Sequence, residues 1–272
     1  MSTPAQSPAP PDLMFANMKG TKSEAIQATE RLKIAVLGEP GTGKSWFAAT
    51  APGPVRYYDF DDRSESLEGK PNLFILSKPT MLDIESDISM FKANKMKKIP
   101  LPATLVFDSV TFMVRAMEDE IRRQQAGLFK SIRIGNTTSV YKGKDWDVVV
   151  GIQRYMEYLI GELTSLGCNF IFVFHEKDEK DNAESTINDI KYTGYVTTDP
   201  QYLRNILSLF NEVYRITVDA SKPNQINYRV TCRPNNEMMA KTTLLLDQTE
   251  MPDIMAMITK HKVKRAALAP KV

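Results

Sequence analysis

The sequence predicts an α/β domain: a mostly parallel central sheet flanked by helices, with antiparallel strands added at one edge by the C-terminal part. Three observations carry that prediction. Apolar strand-like runs alternate with helix-like runs through the first two-thirds of the chain. Those strands are apolar throughout rather than alternating, the pattern of strands covered on both faces. One strand-to-helix junction, "GEPGTGKS" from Gly38 to Ser45, has the spacing of a loop that cradles phosphate.

Each element follows in order. "RLKIAVLG" is an apolar strand ending at Gly38, and "WFAATA" continues the loop as a helix. "PVRYYDFDD" is a second strand ending in acids, and "NLFILS" is a third. Met81, Ile84, Ile88 and Phe91 recur near helical spacing, so residues 80–97 read as a helix. "ATLVFDSVT" is a fourth strand reaching Asp108, with a helix from Phe112 to Gln125 behind it. Residues 126–145 read as a long loop. "WDVVVGIQRYMEYLIGELTSLG" is an amphipathic helix and "NFIFVFH" a fifth strand. Residues 176–200 are polar and loop-like. "NEVYRITVDA", "QINYRVTCRP" and "TTLLLD" read as terminal strands, the first two joined by the turn "SKPN". The expected organisation is a disordered Pro/Ser/Ala-rich arm over 1–22, a single domain over 23–258 and a basic tail over 259–272.

Composition narrows the class. With 42% hydrophobic and 25% charged residues in a chain of 272, a large core is available and wholesale disorder is excluded. The formal net charge of +2 does not mark a nucleic-acid binder, so a polyanion site must come from a local patch. Cys168 and Cys232 lie in or beside apolar runs without CxxC spacing, which reads as buried free thiols in a reducing cytoplasm. No apolar run approaches the roughly 18 residues of a membrane span, and "MSTPAQSPAPPD" has no secretory core segment.

The phosphate loop is the most specific signal. Gly38, Glu39, Pro40, Gly41, Thr42, Gly43, Lys44, Ser45 and the following Trp46 are the expected nucleotide-binding residues. Glycines let backbone N–H groups curl around phosphate, and the helix that follows adds positive potential. Lys44 is expected to reach the β- and γ-phosphates, and Ser45 to hold Mg²⁺. A second metal anchor is expected at the end of a neighbouring apolar strand, and Asp108, 64 residues after Lys44, has that place. The guanine-reading string N-K-x-D is missing; Asn94-Lys95-Met96-Lys97 lacks its acid, which favours ATP.

"LVFDSVT" with Ser after its Asp, the acids ending the second strand and the polar end of "NFIFVFH" together resemble the RecA-like P-loop NTPase core. The chain resembles, more closely, the small phage-encoded RecA-like ATPases, several of which act in recombination or single-strand annealing. The likeness spans roughly residues 30–250. It implies a water-activating carboxylate at the end of the second strand, which falls on Asp61 with Asp62 as neighbour. It implies that His175 senses the γ-phosphate; a strand-end histidine satisfied by a carbonyl is the other reading. Lys241 takes the place of a basic group acting on a neighbouring subunit's site, against a plain surface lysine. The resemblance also implies self-assembly into a ring or filament.

Two loops face DNA in RecA-like assemblies. Arg122 to Lys144 holds Arg122, Arg123, Lys130, Arg133, Lys142 and Lys144 and no acid, with Phe129, Tyr141 and Trp146 in or beside it. That mixture suits single-stranded DNA, or is an ordinary solvated basic loop. Residues 176–189 carry six acids against two lysines, which repels phosphate; this reads as contact with a protein partner, such as a single-strand-binding or other replication protein, or as a loop that swings clear of DNA. The expected function is an Mg²⁺-dependent ATPase acting on single-stranded DNA in recombination, annealing or replication. The alternative is an ATP-driven assembly or partner switch without DNA. A small-molecule kinase would need a lid motif that is not seen.

Overall fold

The computed structural model describes residues 31–124, 131–134, 137–141, 146–176, 206–222, 225–234 and 240–268, and Leu32–Val272 is one compact unit. In chain order its elements are β1 (Lys33–Gly38), α1 (Lys44–Ala48), β2 (Val55–Asp59), a 3-10 turn at Ser64–Leu67, β3 (Leu73–Ser77), α2 (Met81–Met96), β4 (Thr104–Asp108), α3 (Val110–Gln124), β5 (Ser131–Ile134), β6 (Thr137–Tyr141), α4 (Trp146–Leu166), β7 (Asn169–His175), β8 (Glu212–Lys222), β9 (Gln225–Thr231), β10 (Thr249–Glu250) and α5 (Ile254–Leu268).

Among the described residues, eight strands form one sheet in the order β10-β9-β8-β1-β7-β4-β2-β3. From β8 to β3 every pairing is parallel, while β9 and β10 add antiparallel edge strands. The architecture is the one expected: a mostly parallel sheet with helices and a C-terminal antiparallel edge. Its functional consequence lies in the strand order. β7 is inserted between β1 and β4, so Gly38 pairs with His175, Asp108 with Val173, and Asp59 with Asp108. Strand ends far apart in sequence therefore share the carboxyl edge of the sheet, where open α/β sheets bind ligands.

The continuous apolar strands are explained by burial on both faces. One face carries Leu37, Tyr58, Phe107, Phe170 and Phe172 against Ile84 and Ile88 of α2, Met113 and Met117 of α3, and Met156, Leu159 and Leu163 of α4. Its rings interlock, with the Phe107 and Phe172 centroids 4.6 Å apart and Phe172 and Phe210 5.4 Å apart. Such ring pairs contribute about 0.5–1.5 kcal/mol each beyond their buried area. The other face carries Val36, Tyr57, Val106, Val173 and Ile216 against Phe47 of α1 and Ile254 and Met257 of α5. α2 starts where Thr80 caps it: its side chain accepts from the Asp83 N–H, while the Asp83 carboxylate accepts from the Thr80 N–H at 2.8 Å. Both cysteines are buried free thiols, and burial above all pushes the Cys232 thiol up to about 12. Among the described residues no helix is long and apolar enough to cross a membrane.

Three expectations about local structure are corrected. The stretch 126–145 is not all loop, because β5 and β6 pair antiparallel within it. The Gly135-Asn136 step between β-branched runs is a hairpin signal that the sequence carried. "TTLLLD" does not form a strand. Lys241 makes a single bridge to Val213, and the hydroxyls of Thr242 and Thr243 donate to the fully buried Glu212 carboxylate instead. Satisfying that carboxylate outweighs the β-preference of the threonines. The basic stretch from Lys260 belongs to α5 as far as Leu268: Lys260 pairs with Asp247 and Glu250, Lys264 with Asp247, and His261 Nδ1 accepts from the Leu245 N–H at 3.0 Å. Expectations on the N-terminal arm, on residues 177–200 and on Pro223-Asn224 of the turn fall outside the described residues.

Candidate nucleotide-binding site

The loop between β1 and α1 folds as its glycines require. Gly43 has φ 82°, a left-handed conformation that costs a side-chain-bearing residue about 1 kcal/mol or more. At Gly38 a Cβ would lie 2.7 Å from the Ile216 carbonyl oxygen and 2.8 Å from Thr42 Oγ1, so β8 presses directly on the loop. Lys44 is buried and donates from Nζ to the Glu39 carbonyl at 2.6 Å, and Thr42 Oγ1 donates to the same oxygen at 2.8 Å. Burial lowers the Lys44 pKa, opposed by the carboxylates of Asp108, Glu176, Asp61 and Glu39. An ammonium amid acids, at the root of a glycine loop, is set to receive the negative charge of a phosphate.

Asp108 ends β4 with its carboxylate buried. The Tyr57 hydroxyl donates to Asp108 Oδ2 at 2.5 Å. Burial raises the Asp108 pKa, while hydrogen bonds from Ser45 and Tyr57 lower it. The Tyr57 hydroxyl holds one oxygen of this carboxylate and Ser45 lies beside it, so the donor set is oxygen alone, which suits Mg²⁺. No group of three or more His, Cys, Asp or Glu side chains fit to hold a metal occurs among the described residues. Ser45 and Asp108 therefore fit a metal that takes its other ligands from phosphate and water, as Mg²⁺ does with nucleotides.

The acids after β2 separate. Asp59 is buried and accepts from the N–H groups of Ser64 and Arg63 at 3.0 and 3.3 Å. Asp61 turns toward β7, with His175 Nε2 3.9 Å from its Oδ2. That distance exceeds a hydrogen bond and becomes an ion pair when the imidazole is protonated. The His175 imidazole above all, helped by Asp59 and Arg63, holds the Asp61 carboxyl below the ordinary range, whereas burial raises Asp59. Asp62 turns away and pairs with Lys78 at 2.6 Å on the surface. His175 Nδ1 is buried without a hydrogen-bond partner.

The sequence matches the AAA domain family over residues 30–244, a stretch that takes in every element from β1 to β9. The chain belongs to the AAA domain family. No curated protein matches it significantly. Among solved structures, a KaiC-like protein from the hyperthermophilic archaeon Pyrococcus horikoshii is similar, at 13% identity and a TM-score of 0.40, over 73% of this chain and 76% of that one.

This AAA domain is thus a P-loop ATPase by family, and its remaining expected residues spread widely. Trp46 is exposed on α1, with Lys70 Nζ 3.2 Å from its ring centroid. Lys241 lies near the start of β8, away from its own phosphate loop, and donates from Nζ to the Phe210 carbonyl at 2.9 Å. Arg122 and Arg123 end α3, and Arg123 pairs with Glu120 at 2.6 Å. Arg133 stands on β5. Lys130, Lys142 and Lys144 fall outside the described residues.

Sequence reasoning missed three parts of this AAA domain's site. Tyr57 holds Asp108. The buried Glu176 and the half-buried Arg215 form an ion pair at 2.8 Å, lining with Glu39 and Gly41 a cavity of about 370 Å³ beside the loop. The Tyr228 ring of β9 packs on Gly43, 3.4 Å from where a Cβ would stand. Only the alternation of β2 signalled Tyr57, by placing it on the face of Asp59; the other two depend on strand order.

Proposed function

We propose that this chain is an Mg²⁺-dependent ATP hydrolase that acts on single-stranded DNA in recombination, annealing or replication. The observation that carries the hydrolase reading is the convergence of Lys44, the Ser45–Asp108 pair and the Asp61–His175 pair on one edge of the sheet. Lys44 exchanges its bond to the Glu39 carbonyl for the β- and γ-phosphate oxygens. Ser45 and Asp108 hold the metal, which supplies charge neutralisation on the phosphates. Asp61 accepts the proton of the attacking water as the bond from the γ-phosphorus to the bridging oxygen breaks. His175 donates to a γ-phosphate oxygen. ATP is favoured over GTP because the guanine-reading string N-K-x-D is missing: Asn94-Lys95-Met96-Lys97 lacks its acid.

The DNA reading is supported by the basic and aromatic composition of Arg122 to Lys144, within which β5 and β6 pair as a hairpin. Self-assembly and a replication-protein partner at the acidic run after His175 belong to the same reading. The pairing of Arg123 with Glu120 favours the second reading, a nucleotide-driven switch without DNA. ATP turnover with Mg²⁺, with and without single-stranded DNA at low and moderate salt, separates them. DNA stimulation that fades with salt supports the first. Turnover indifferent to DNA overturns it and supports the switch.

A further inference from the structure

The second strand carries two consecutive tyrosines that face opposite sides of the sheet. Each donates to an aspartate: Tyr58 to Asp87 of α2 at 2.9 Å, and Tyr57 to Asp108 at 2.5 Å. The Tyr58 bond belongs to a group that also includes Arg56, whose Nε is 2.8 Å from the same Asp87 oxygen. The Tyr57 bond is different in kind. Both partners are buried, and Tyr57 sits opposite Val106 in register, two residues back from Asp108 on the neighbouring strand. Its ring is locked in the core face with Val55, Val106 and Val173, so the hydroxyl has little freedom to be elsewhere.

We propose that Tyr57 is a positioning residue for the metal: by bonding Oδ2 of Asp108 it fixes the plane of the carboxylate that would hold the ion. A carboxylate with one oxygen tied to a rigid phenol has a single low-energy orientation, whereas a free one rotates. Partners of this kind behind a metal ligand typically change metal affinity about 10- to 100-fold when removed. The proposal rests on the reading of Asp108 as a metal anchor.

The test uses the full chain with Mn²⁺ as probe and a non-hydrolysable ATP analogue, with free Mn²⁺ read by electron paramagnetic resonance. Tyr57→Phe removes one oxygen and keeps the ring, and Tyr58→Phe makes the matched change on the opposite face. The expected result is about tenfold weaker Mn²⁺ binding in Tyr57→Phe, with metal-free nucleotide affinity close to wild type. The Mg²⁺ concentration for half-maximal turnover rises by the same factor. Tyr58→Phe leaves Mn²⁺ binding unchanged. Mn²⁺ affinity within twofold of wild type in Tyr57→Phe, or equal losses in both variants, overturns the proposal. Asp108→Ala separates the two levels. If it weakens Mn²⁺ binding and Tyr57→Phe does not, only the positioning role fails; if it leaves Mn²⁺ binding intact, the metal reading of Asp108 fails with it.

Discussion

His175 and Asp61 face each other across the end of β4, 3.9 Å apart, although 114 residues separate them in the chain. The imidazole above all lowers the Asp61 carboxyl, and a carboxylate at this strand end is placed to take a proton from an attacking water. Asp61→Asn is therefore expected to lower single-turnover hydrolysis about 100- to 10,000-fold while nucleotide affinity changes little. Asp62→Asn leaves hydrolysis near wild type, because Asp62 is turned out to Lys78. Equal losses in both variants would place the base elsewhere.

Asp108 gives a stability prediction with a definite sign. Burial raises its folded pKa above the unfolded value of about 3.9. The stabilising contribution of such a group is complete below about pH 3.9 and is lost as pH rises through the folded value. Nucleotide-free Asp108→Asn is thus expected to melt higher than wild type at pH 7, by about 2–4 °C for each kcal/mol relieved. The advantage shrinks toward pH 4. Melting curves at the two pH values check it, and an Asp108→Asn protein that melts lower at pH 7 would refute it.

Lys44→Ala is expected to abolish ATP hydrolysis without unfolding the chain, since it also removes a buried ammonium. Equilibrium binding of a fluorescent ATP analogue, beside a melting curve, measures both effects. Near-wild-type turnover would sink the phosphate-loop assignment.

Glu176 and Arg215 are predicted to matter for folding. Glu176 is buried and Arg215 half-buried, the two bonded at 2.8 Å, and the Glu176 N–H donates to the Gly38 carbonyl at 3.0 Å. Arg215→Ala takes the guanidinium away from a buried carboxylate and is expected to destabilise the chain, by at most about 3–5 kcal/mol. Urea unfolding reads this as a lower midpoint at unchanged slope.

Neutralising Arg122, Arg123, Lys130 and Arg133 together is expected to weaken binding to a single-stranded oligonucleotide. The slope of log affinity against log salt should flatten by about 0.7 for each phosphate contact removed. An unchanged slope would move the DNA surface away from this segment.

The local patterns of the chain determined the fold class, most of the strands and α2 to α4, because apolar periodicity and glycine spacing act over a few neighbouring residues. They were sufficient to place Lys44 and Ser45 at the root of a phosphate loop and Asp108 at a strand end. They misread the Ser131–Tyr141 hairpin as loop and "TTLLLD" as a strand. The second error arose because the partner of those threonines is Glu212, which is distant in sequence. What the tertiary structure alone decided is the company each residue keeps. Inserting β7 between β1 and β4 put His175 beside Gly38 and opposite Asp61. The same register set Tyr57 against Asp108 and turned Asp62 outward to Lys78. These pairings depend on strand order and register, which are settled by how two faces of a sheet fill with side chains, and no local window of sequence contains that information.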